Sequence, residues 1–280
     1  MKKLILILSC LPFFVKAQNL DEKAQEIMAE GKLLYQTEMA SWYGTDMFLM
    51  QFSEREEIAG YFSYLDNEVP TCVFFSHGEI PEVIGTITFD STYLLEKANS
   101  DLTVRNFTPL ENELYQLREA ALEEVVNDTF YKNYRNANLN LIPLITEKEK
   151  KVYILTGPTQ SGVVLLGNDY LLQFNNDFEL VSKKELHRNL IPIEYRTADD
   201  KSENAGITMH NHSPETGDFI TPTDVCTLML YGKFTGWDLH YTVSKHYLST
   251  FDCKTNQLHI ITMEALEKID KDQKKRKKKK

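Results

Sequence analysis

Two histidines one residue apart, His210 and His212, precede a Thr-Pro-Thr-Asp tetrapeptide, Thr221 to Asp224, in the stretch "GITMHNHSPETGDFITPTDVCTLMLYG". If "ITMHNH" is extended, alternation puts both imidazoles on one face and Asn211 on the other. Two imidazoles so placed can ligate one ion. A carboxylate delivered by the next element, Asp224, completes a three-ligand zinc site with a fourth position left for water. At such an open position zinc lowers the pKa of bound water to about 7. The tetrapeptide also has a purely local explanation. Thr221 is a good N-cap, Pro222 belongs at the first helical position, and Asp224 in the first turn favours the helix dipole. Alone it says that a helix starts there; the joint occurrence with His-x-His raises the metal reading.

The elements that must position these residues are legible in outline. Pro222 to Phe234 reads as helix, and "LHYTVS", "HYLSTFD" and "LHIIT" read as closing strands. Upstream, "LNLIPLI", "KVYILTG", "GVVLLG", "DYLLQF" and "FELVSK" are short apolar or alternating runs between turn residues, expected to form a β-meander. Tyr195 to Gly206 is polar and breaker-rich, a surface loop. Nearer the start, Leu20 to Met39 has an apolar face (Leu20, Ala24, Ile27, Met28, Leu34) and is expected to be an amphipathic helix. "YFSYL" and "TCVFFS" form an expected hairpin, "VIGTITF" a further strand, and Leu110 to Val126 a second helix. The predicted class is α+β, with a domain boundary near residues 135 to 148.

Strand-borne His-x-His, a loop, an Asp at a helix start and closing strands together resemble the JAB/MPN (JAMM) metallopeptidase domains and the related RadC proteins. "His210-Asn211-His212-Ser213-Pro214" is similar to the RadC form of the first half of the motif. Thr221 to Asp224 is similar to the second half, with Thr221 where the family has Ser. Upstream "SGVVLLG" looks like the family's first core strand, and the resemblance covers Lys151 to Thr262. It implies a JAB/MPN-like mixed sheet with flanking helices over 138–265, with an N-terminal α/β segment of no recognised family over 18–137. It further implies Zn²⁺ held by His210, His212 and Asp224, with Thr221 steadying an oxyanion. The loop between the two halves is one residue longer than usual. The position of the family's Glu base falls on Gln160, and an amide cannot take a proton. Glu179 and Glu185 are the substitutes near in sequence. Two functions stay open: a zinc-dependent amide or isopeptide hydrolase, or a non-catalytic cell-envelope interaction protein keeping the JAB-like shape.

Other candidates are weaker. His187 in "KELHRNLIPIEY" reads as part of a strand, with a rim or extra-ligand role as the functional alternative. "GNDYLLQF" reads as a turn and a strand, and His240, His246 and His259 as structural residues of closing strands. The aromatic run "SWYGTDMF" offers stacking for a peptide or sugar, but packing is the commoner use.

Met1 to Ala17 has a basic start, a short apolar core and a small residue before a cut, the pattern of a secretory signal peptide. Its style is similar to Gram-negative export signals of the Bacteroidota kind, so the expected location is periplasmic or secreted. Beyond the leader three cysteines remain, Cys72, Cys226 and Cys253, too few for a disulfide framework. The chain between the leader and the terminal "KKRKKKK" carries a formal charge of −20, which argues against nucleic acid. The run itself, in an expected disordered tail over 266–280, offers contact with an acidic envelope surface; the other expected partner is an unidentified protein or peptide.

Overall fold

The computed structural model describes residues 11–195 and 206–278. The chain divides into two units, one made of Met1–Gly31 with Ala198–Lys280 and one of Lys32–Thr197. Helices and strands are about equally represented in mixed sheets, an α+β fold. The leader's first ten residues lie outside the described part, as does most of the expected surface loop. Among the described residues no helix is long and apolar enough to cross a membrane.

Helix α1 runs Leu11–Gln51, well past the expected Met39. The apolar face continues through Ala40 and Phe48, both fully buried. Gly44 does not break it because the helix lies against Cys72, whose Cβ would stand 2.8 Å from an added Cβ. Within the aromatic run Phe48 is a packing residue, stacked on Phe74 with ring centroids 4.0 Å apart, while Trp42 is exposed.

In the Lys32–Thr197 unit, β1 (Ile58–Asp66), β2 (Val69–Ser76), β3 (Val83–Thr88) and β4 (Asn99–Asp101) form an antiparallel sheet in chain order. Helix α2 (Pro109–Asn127) follows. The later strands are β5 (Ala137–Ile145), β6 (Lys150–Pro158), β7 (Val163–Gly167), β8 (Tyr170–Phe174), β9 (Leu180–Glu185) and β10 (Leu190–Glu194). They are not a simple meander. The sheet order is β5-β6-β8-β9, and β7 leaves it to pair with β10. Helix α2 serves two cores: Leu114 packs with Phe62, Val73 and Phe75, while Leu117 and Ala121 pack with Val152, Ile154 and Leu172. That shared helix is why the expected boundary near residues 135 to 148 falls inside one unit.

One carboxyl in α1 gives this unit a pH dependence. Asn140 donates to Glu38 at 3.2 Å, but burial outweighs that bond and pushes the Glu38 carboxyl up from 4.5 to about 7. Between those values the folded chain keeps a proton that the unfolded chain has lost. The contribution of Glu38 to stability is therefore fullest below about pH 4.5 and is lost as pH rises through 7. Urea midpoints measured across that window should decline in wild type and decline less in Glu38→Gln; parallel profiles would exclude Glu38 as the cause.

The other unit holds β11 (Ile207–Asn211), α3 (Pro222–Thr235), β12 (Leu239–Val243), β13 (Tyr247–Asp252), β14 (Gln257–Thr262) and α4 (Met263–Lys277). Strand order is β11-β12-β13-β14, with β11 and β12 parallel and the rest antiparallel. The three cysteines are free thiols. Where a disordered tail was expected, α4 continues to Lys277. Four exposed pairs at i,i+4 spacing support it: Glu264–Lys268, Glu267–Lys271, Asp270–Lys274 and Asp272–Arg276.

Candidate metal centre

The β11–α3–β12 connection makes the site. In a strand–helix–strand crossover the end of the first strand and the first turn of the helix meet at the strands' carboxyl ends. Here they bring His210, His212 and Asp224 together. His210 is the penultimate residue of β11, and the His212 N–H extends the ladder by donating to Val243 O at 2.9 Å. Even-numbered side chains of this stretch face inward, so His210 and His212 are buried while Ile207 and Met209 are exposed.

Helix α3 starts as its sequence dictates. Thr221 is the N-cap, Pro222 follows, and the Asp224 N–H donates to Thr221 Oγ1 at 3.1 Å. In return Asp224 Oδ2 accepts the Thr221 N–H at 2.9 Å and the Thr221 hydroxyl at 2.8 Å. The helix is held close by α1: a Cβ at Gly31 would lie 2.6 Å from Val225 Cβ, so only glycine permits this approach without a shift. The cap and the metal reading thus share one carboxylate. Two bonds to Oδ2 fix the side chain and direct Oδ1 toward His210.

The three donors converge. His210 Nε2 and His212 Nε2 are 2.9 Å apart, His210 Nε2 stands 3.6 Å from Asp224 Oδ1, and His212 Nε2 stands 3.5 Å from Asp224 Oδ2. Donors 2.0–2.1 Å from a tetrahedral centre are about 3.3 Å from each other. The observed edges bracket that value, and all three side chains are buried to within 1% of full. His210, His212 and Asp224, this close and so deeply buried, are among the donors that could hold a metal ion.

A residue assigned above to structure alone touches this group. His240 on β12 is fully buried, and its Nε2 lies 2.8 Å from His210 Nδ1. Burial pushes the His240 imidazole down to about 4, against the pull of Asp224 and with a further push from His212. The signal was in "LHYTVS", where alternation turns three polar side chains, His240, Thr242 and Ser244, inward.

The remaining candidates have definite places. Thr221 is tied to Asp224 as described, so its hydroxyl holds that carboxylate in place. Glu185, on β9, pairs with Lys132 at 2.5 Å. Glu179 accepts from the Asn175 side chain at 2.9 Å in the β8–β9 turn. Gln160 is exposed between β6 and β7. His187 is buried in the break between β9 and β10, not on a strand, with Nδ1 3.4 Å from Asp169 Oδ2. "GNDY" is more than a turn. Asn168 donates to Thr156 Oγ1 and Lys132 O and accepts from Tyr170, and Asp169 accepts the Thr156 N–H at 2.8 Å. His246 pairs with Asp218 at the surface.

No family model, no curated protein and no solved structure matches the chain.

Proposed function

We propose that the chain is an exported zinc-binding protein whose metal site is similar to that of the JAMM metallopeptidases. The observation that carries this reading is the convergence of His210 Nε2, His212 Nε2 and the Asp224 carboxylate at 2.9–3.6 Å. Two nitrogens and one carboxylate suit zinc, and a hydrolase would need a fourth position open to water or a substrate carbonyl. Zinc bound there supplies Lewis acidity for hydrolysis of an amide or isopeptide bond. The chain's own share is positional. Thr221 clamps Asp224, and β11 presents both imidazoles from one face. The basic end of α4 stays in this proposal as the arm that meets an acidic envelope surface.

A second reading, a non-catalytic envelope interaction protein that keeps the metal, rests on a different observation. Hydrolysis needs a group that takes a proton and returns it to the leaving nitrogen. Gln160 cannot, and the carboxylates of Glu179 and Glu185 are engaged by Asn175 and Lys132. The zinc-loaded protein, offered peptides and isopeptide-linked conjugates with and without a chelator, separates the two. Chelator-sensitive cleavage that is lost in Asp224→Asn supports the hydrolase. Tight zinc binding with no cleavage supports the binder.

A further inference from the structure

We infer that Thr208 and His240 form a relay that sets the tautomer of His210 and so presents its Nε2 lone pair to the metal. This rests on the zinc reading above and adds two residues that neither the motif nor the ligand set contains. Parallel pairing places Thr208 beside His240 and His210 beside Thr242 on adjacent strands. His240 therefore lies between Thr208 and His210 on the inward face. His240 Nδ1 is 2.8 Å from Thr208 Oγ1, and His240 Nε2 is 2.8 Å from His210 Nδ1. Both imidazoles are buried.

An imidazole that ligates through Nε2 must carry its proton on Nδ1. For His210 that proton points at His240 Nε2, which accepts it. His240 must then hold its own proton on Nδ1, and Thr208 Oγ1 accepts that one. Each step has a donor and an acceptor, and the direction of the chain is fixed at the metal end. The reverse direction would put a proton on His210 Nε2 and block ligation. The arrangement is the outer support that metal-binding histidines commonly have, here built from a second histidine and a hydroxyl in place of a carboxylate. His240 is thus a positioning residue, acting on the metal through His210.

The test uses the full-length protein and zinc alone, with affinity measured by chelator competition. His240→Phe keeps the ring's bulk and removes the acceptor, and its zinc dissociation constant should rise about 10–100-fold. His240→Gln returns an acceptor oxygen near the Nε2 position and should recover much of that loss. Thr208→Val should weaken binding in the same direction, and Thr208→Ser should restore it. In ¹⁵N-labelled wild type loaded with zinc, His210 and His240 should both show the Nδ1–H tautomer. If His240→Phe fails to fold, the Thr208 pair and the tautomer spectrum decide. Zinc affinity unchanged in His240→Phe and Thr208→Val, or an Nε2–H signal from zinc-loaded His240, would overturn the relay while leaving the metal site standing. Wild type that takes up no zinc would remove the site, and the relay with it.

Discussion

Asp224→Asn should lose zinc affinity by more than about 100-fold, beyond the 10–100-fold typical of outer partners, while the fold survives. The asparagine keeps an oxygen that can accept the Thr221 N–H, a bond Asp224 now holds at 2.9 Å. The start of α3 is therefore preserved, and what changes is the charge and donor strength facing His210 and His212. Asp224→Ala also removes the return bonds of the capping box to Thr221 and should cost about 1 kcal/mol of stability in addition. Comparing the two variants by chelator competition and by urea denaturation separates metal loss from helix loss. If Asp224→Asn bound zinc within a few-fold of wild type, the carboxylate would be a cap and not a ligand.

The largest effect on stability should come from Glu111. Its side chain is fully buried, and Arg105 clamps it with Nη1 to Oε2 at 2.6 Å and Nη2 to Oε1 at 2.8 Å. Tyr64 donates to Oε1 at 2.9 Å, and the Thr108 N–H donates to Oε2 at 2.8 Å, completing the α2 capping box. Burial works to raise this carboxyl, but Arg105, Thr108 and Tyr64 together hold it below the ordinary carboxylate value. Glu111→Ala strands a guanidinium that is only one-third exposed and removes two further acceptor sites. The expected loss is about 3–5 kcal/mol, read as a shift in urea midpoint. Replacing both partners by apolar residues, Arg105→Met with Glu111→Leu, should recover most of it, since the cost lies in the uncompensated charge. A loss below about 1 kcal/mol would place the pair with surface ion pairs.

These two carboxylates show what a sequence discloses. Thr221-Pro222-Thr223-Asp224 is a cap read from its spacing, and Thr108-Pro109-Leu110-Glu111 repeats that spacing just ahead of the expected helix start at Leu110; both helices begin at the proline. The second use of each carboxylate is tertiary. Arg105 reaches Glu111 across a loop, and His210 and His212 reach Asp224 across the β11–α3 connection. The second was foreseeable because His-x-His on a strand fixes two directions at once, while a single Arg fixes none. His240 was missed for the same reason: one histidine on a strand specifies a face but no partner, and only the parallel register with β11 sets it beside Thr208. Strand positions were clear from alternation, yet pairing was not, so β7 was placed in a meander although it pairs with β10. The extent of α1 was hidden by Gly44, whose need is set by Cys72 on another element.

Zinc binding by His210, His212 and Asp224 is tested by elemental analysis of full-length protein purified without added metal. Wild type should contain about one zinc per chain, and the His210→Ala, His212→Ala double variant, still folded by circular dichroism, should contain almost none. Wild type free of zinc even after incubation with the metal, or a double variant that retains as much as wild type, would rule out zinc binding by these residues.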